Sequence, residues 1–119
     1  MNHGDIQKTL DAIVSGIPTI IAVSIVDINS GMSLGAISKD SSFDPDIASA
    51  YNAEVVKQKL AAMKALGIGE QGIEDILITL SNQIHLLRVT EDKQHFIYIA
   101  AKKETNLAIA RSVLRQNNL

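Results

Sequence analysis

The chain has 119 residues, a length that suits one domain and lets it bury roughly two-thirds of its unfolded surface. Apolar residues make up 46%, too many for a disordered chain, and aromatics only 3%, so the core must be built from Ile, Leu, Val, Ala and Met. A net charge of −2 gives no general attraction to nucleic acid or anionic lipid, and the lack of cysteine excludes disulfides, thiolate catalysis and cysteine-based zinc sites.

The chain opens Met-Asn-His-Gly-Asp. No basic stretch precedes an apolar run, so no secretory signal is expected. His3 is expected in a mobile tail. Ile6, Leu10, Ile13, Val14 and Ile17 then recur at helical spacing and predict a first helix with one apolar stripe. Asp5 is placed to cap it, and Ser15-Gly16 followed by Pro18 stops it. Residues 20–26, IIAVSIV, are β-branched and nearly unbroken, the mark of a strand covered on both faces. The apolar stretch 17–28 contains Pro18, Thr19, Ser24 and Asp27 and is too short to span a bilayer, so no membrane insertion is expected and a cytoplasmic protein is the default. Asp27-Ile28-Asn29-Ser30-Gly31 is a turn cluster, and residues 32–37 form a return strand. Asp27, Asn29 and Gly31 imitate the start of a calcium loop, but the required Glu at loop position 12 is Ser38 here.

Asp44-Pro45-Asp46 is a strong helix start: Asp44 caps, Pro45 fits the first helical position, and Asp46 suits the positive end of the dipole. The other acid of this loop, Asp40, has no pocket partner that would make it an acid–base group. The second helix should run to about Leu66, with Gly67 as terminator. At about 100° per residue, its apolar side chains fall in two sectors. Ile47, Ala48, Tyr51, Val55, Ala62, Ala65 and Leu66 form one; Ala53, Val56, Leu60 and Met63 form the other. Glu54, Lys57 and Lys64 lie between them on one side. One stripe seats a helix on its sheet, and a second stripe needs another neighbour. The first and third helices use up their own single stripes, so a second subunit is the expected neighbour.

Residues 67–72, GIGEQG, have the glycine spacing of a dinucleotide-binding loop. Such a loop must follow a strand and open a helix, so that the helix N-terminus meets the pyrophosphate. Here the glycines follow a helix and precede a strand, where helix carbonyls repel phosphate. They read as a C-cap and a flexible link, and no cofactor is expected. Three strand-like runs follow: residues 75–80, 83–89 and 95–100. Ser81-Asn82 and residues 90–94 are turns too short for parallel crossovers, so the three form an antiparallel meander. Leu107, Ile109, Ala110, Val113 and Leu114 mark a third helix, capped by Thr105 or Asn106, and residues 116–119 are expected to fray. His85 and His95 lie on successive strands and could approach each other, although a partly buried, hydrogen-bonded His85 is the plainer reading and no metal site is expected. Lys102, Lys103, Arg111 and Arg115 read as a solvated basic end. No serine-nucleophile, zinc-protease or phosphate-loop motif occurs, so nothing points to an enzyme. The fold class is α+β, ordered α-β-β-α-β-β-β-α, a five-stranded antiparallel sheet with helices on both faces.

The order of these parts resembles the roadblock family, the dynein light-chain and GTPase-regulator group. The parts are the Ser15-Gly16-Ile17-Pro18 helix end, the strand AVSIVD with its turn INSGM, the long second helix, and the C-terminal FIYIAAKKETNLAIARSVL. Within the last, Asn106, Leu107, Ala110 and Arg111 match the opening of the family's final helix. The resemblance implies a non-catalytic module that pairs through the second helix and third strand, and that scaffolds or regulates Ras-like small GTPases. No arginine finger is carried over to Arg88, Arg111 or Arg115. On this basis the homodimer interface is expected at Val56, Leu60 and Met63 with Ile76 and Ile78, and a partner surface at Glu54, Lys57 and Lys64. The alternative is a small-molecule-sensing, profilin-like domain, which would show a deep, partly apolar pocket.

Overall fold

The computed structural model describes residues 3–117. Helix α1 spans His3–Gly16, strand β1 Ile20–Asp27, β2 Ser33–Ser38, and helix α2 Pro45–Ala65. After one 3-10 turn at Gly69–Gln71 come β3 Asp75–Thr79, β4 Gln83–Val89, β5 His95–Lys102 and helix α3 Leu107–Gln116. The order α-β-β-α-β-β-β-α and the single antiparallel sheet are as the sequence predicts. The 3-10 turn, set in what reads as a flexible link, was not anticipated. The expected fraying of the last residues falls partly on residues 118–119, outside those described.

The strands lie in the order β2-β1-β5-β4-β3. β1 and β5 pair antiparallel at the centre, from Ile20↔Ala101 to Asp27↔His95. Both are covered on both faces, which explains their nearly continuous apolar runs. Adjacent residues alternate between two cores. Ile97, Ile99, Val23, Ile25 and Leu86 meet α1 and α3 on one face; Phe96, Tyr98, Ala100, Val26 and Leu87 meet α2 on the other. This period-two division is what a pleated strand imposes.

Local chemistry sets the helix ends. Asp44 accepts hydrogen bonds from the Asp46 and Ile47 amides at 2.9 and 3.4 Å. Gly67, with φ of 76°, follows the last turn of α2 in the left-handed region that favours glycine. Asn106, of the two candidates, caps α3 through the Ile109 amide at 3.1 Å. Asp5 does not cap α1: the helix already begins at His3, so Asp5 sits in its first turn and His3 is helical rather than in a tail.

Candidate functional site

Helix α2 lies on the β1 side of the sheet face it covers. Ser49 and Ser24 are fully buried beneath it, with their hydroxyls 2.9 Å apart. Ser49 gives its proton to the Pro45 carbonyl at 2.6 Å, so Ser24 is the donor between the two. A serine within the apolar run of β1 was the signal for this contact, and the sequence reading passed over it.

The two stripes of α2 play opposite parts to those expected. Ala53 and Val56 are wholly buried against the chain's own sheet, Met63 is 5% exposed, and Leu60 is half-buried. The stripe assigned to a second subunit is therefore the one that seats the helix. The physical reason is size: the sheet below offers Phe96, Tyr98 and Leu87, and the narrower Ala53/Val56 side lets the helix approach them closely. The other stripe stays open, with Ile47 59%, Tyr51 74%, Val55 40% and Leu66 71% exposed. Four of the eight large exposed hydrophobics among the described residues thus lie along one helix face, where scattered ones would need no explanation.

Ile76 and Ile78 are half-buried on β3, on the α2 side of the sheet. β3 pairs with β4 alone among the described strands, so its outer backbone edge is free. Glu54 and Lys57 pair with each other at 2.9 Å, and Lys57 also donates to the Asn29 carbonyl at 3.3 Å. That contact turns their flank toward the β1–β2 turn. Val55 and the open stripe therefore face away from that turn. Lys64 is exposed near the end of the same charged flank.

His85 stands on β4 beside Ile78 and is held in an aromatic corner. Its Nε2 lies 2.7 Å from the Gln83 side-chain oxygen, so Nε2 carries the proton and Nδ1 faces the Tyr98 hydroxyl at 3.4 Å. The Tyr98 ring meets it edge-on at 5.3 Å, and Phe43 stacks on Tyr98 at 6.5 Å. Burial lowers the His85 pKa and raises that of Tyr98, so both stay neutral near pH 7. His85 and His95 do not approach each other: His85 pairs with Ala100, whereas His95 begins β5 at the opposite end and bonds Asp92 at 3.0 Å. Asp27 accepts from the Ser30 amide and hydroxyl, and Asp40 from those of Ser42, so each closes its own turn. Of the basic end, Lys103 donates to the Leu80 carbonyl at 2.7 Å, and Arg111 grips Asp75 across the sheet edge. No group of three or more acidic or histidine side chains among the described residues is placed to hold a metal ion. No helix there is long and apolar enough to cross a membrane.

Three helices on a sheet of this order, with a long helix open along one side, define the roadblock/LC7 fold. The solved roadblock/LC7 domain from Streptomyces avermitilis aligns over 92% of this chain and 88% of its own, with a TM-score of 0.77 and 12% identity. MglB from Myxococcus xanthus aligns over 98% and 91%, with a TM-score of 0.84 and 14% identity. The gliding protein MglB from Thermus thermophilus aligns over 97% and 84%, with a TM-score of 0.78 and 11% identity. No protein-family profile and no curated protein matches the chain.

Proposed function

We propose that the chain is a roadblock-family module, residues 1–119 forming one domain, that pairs as a homodimer and binds or regulates a Ras-like small GTPase in the cytoplasm without catalytic residues of its own. The observation that carries the reading is the open apolar stripe Ile47, Tyr51, Val55 and Leu66, together with the unpaired edge of β3. Apolar surface of this extent is stabilised by removal from water. A second copy related by a two-fold axis presents the same helix and the same edge, so one operation covers both. Ile76 and Ile78 keep their place in the proposed interface. The open stripe replaces Val56, Leu60 and Met63 as its helical part. Glu54, Lys57 and Lys64, on the flank that faces the β1–β2 turn, remain available to a partner. The likeness to gliding proteins supports the GTPase reading, and a neighbouring structure described as MglB with tetrameric arrangement supports assembly through such surfaces.

The small-molecule alternative has less support. One depression, about 630 Å³ between Pro18, Ile20, Ile21, Lys39 and Lys102, opens broadly to solvent. A narrower one of about 250 Å³ beside Leu60, Ile73 and Val89 falls below the usual size of a ligand site.

The reading is tested by using the tagged chain as bait in its native cell extract, with GTP or GDP analogues added. A small GTPase recovered with one nucleotide and not the other is expected. Recovery that ignores the nucleotide, or no GTPase at all, overturns the regulatory part of the reading.

A further inference from the structure

Among the described residues, Arg88 carries a buried donor without a partner. It stands on β4, opposite Asp75 of β3 and Ile97 of β5, on the sheet face that carries α1 and α3. Its side chain is only 15% exposed, and its Nε is buried without a hydrogen-bond partner. Its ionic contact, Nη1 to the Asp75 Oδ2, spans 3.7 Å, too long for a hydrogen bond. Asp75 is already taken: Arg111 of α3 grips it in a fork, Nε to Oδ2 at 3.0 Å and Nη2 to Oδ1 at 3.3 Å. Two guanidiniums thus share one carboxylate and leave a surplus positive charge. Arg115 follows one helical turn after Arg111 and adds to it. A buried guanidinium N–H without an acceptor is costly, and the cost falls away when an acceptor arrives.

We infer that Arg88 and Arg111 form an oxyanion site where β3 begins, β4 ends and α3 crosses them, and that it takes a carboxylate or phosphate group. The planar guanidinium fork matches two oxygens of either group, which an ammonium does not. Asp75 is a positioning residue: it holds one edge of Arg111, at 35% exposure, and leaves the rest of that guanidinium outward. Arg88 presents its Nη end, and a small rotation toward a bound oxygen brings Nε out of its cover. The site lies on the opposite sheet face from α2, at the start of the strand whose outer edge the proposed dimer uses.

The experiment follows the arginine Nε–Hε signals of the 15N-labelled full chain by nuclear magnetic resonance at constant ionic strength. The probes are inorganic phosphate and succinate, titrated separately. The Arg88 and Arg111 signals should shift along a saturable curve while Arg115 drifts linearly. Saturation by phosphate alone marks a phosphate ligand; saturation by succinate, with or without phosphate, marks a carboxylate. Arg88→Lys, which keeps the charge, should weaken binding about tenfold as read at Arg111. Should that variant fail to fold by circular dichroism, Arg111→Lys read at Arg88 takes its place. Arg88 and Arg111 signals that move no more than Arg115 with both anions overturn the site, as does undiminished binding in the lysine variant.

Discussion

Gly35 of β2 shows how little room single residues have here. A Cβ at this position would stand 2.7 Å from Ile6 Cγ2 and 3.1 Å from Leu10 Cδ1, so glycine lets α1 settle directly on the edge strand. His85 carries the clearest consequence for pH. Half-removed from water, its imidazole has a pKa pushed below the ordinary 6.5. Below that value the unfolded chain therefore binds more protons than the folded one, and stability rises with pH. The contribution is complete above 6.5 and is lost as pH falls through the lowered folded value. We expect the urea midpoint to drop between about pH 7.5 and about pH 5.5, and the drop to shrink in His85→Gln. An equal drop in that variant would assign the effect elsewhere. The half-buried, bonded character of His85 was legible from its alternation with Leu87 and Val89. Its aromatic neighbours were not, because Phe43 reaches it from a loop far away in sequence.

Helix α2 is the element on which the proposed function turns. Its start was legible in three residues, Asp44-Pro45-Asp46, because capping is a matter between a side chain and amides two or three positions on. Asp44→Ala should cost about 1 kcal/mol in chemical unfolding, and Asp44→Asn much less. Equal losses in both would mean that the negative charge, and not the cap bond, matters. The end was legible in Gly67 for the same local reason. The same logic disposed of the dinucleotide pattern in residues 67–72: the glycines close a helix, and Gly72, at a φ of 66°, leads into β3 rather than a second helix. That α2 has two apolar sides was also plain from the sequence. Which side meets the sheet was not, since both are apolar and of similar length.

At the scale of the whole molecule, the proposed pairing through the open side of α2 and the free edge of β3 would make stability depend on assembly. If two copies associate through them, mass action raises the unfolding temperature with protein concentration. We expect that rise in the native chain, with a dimer mass by light scattering, and expect both to vanish in Val55→Glu while its circular dichroism stays native. Val56→Glu, one position on, should instead unfold the chain, because Val56 is wholly buried. A monomer mass for the native chain at high concentration would remove the dimer. The sequence by itself determined the helices and strands, their order, the Asp44 cap of α2 and the antiparallel meander, all of which follow from periodicity, turn chemistry and short connections. Only the tertiary structure decided that β1 joins β5, that α2 buries its Val56 side, and that Asp75, Arg88 and Arg111 converge. These are contacts between residues far apart in the chain, chosen by the shape and charge of the surfaces that meet, and no local spacing records them.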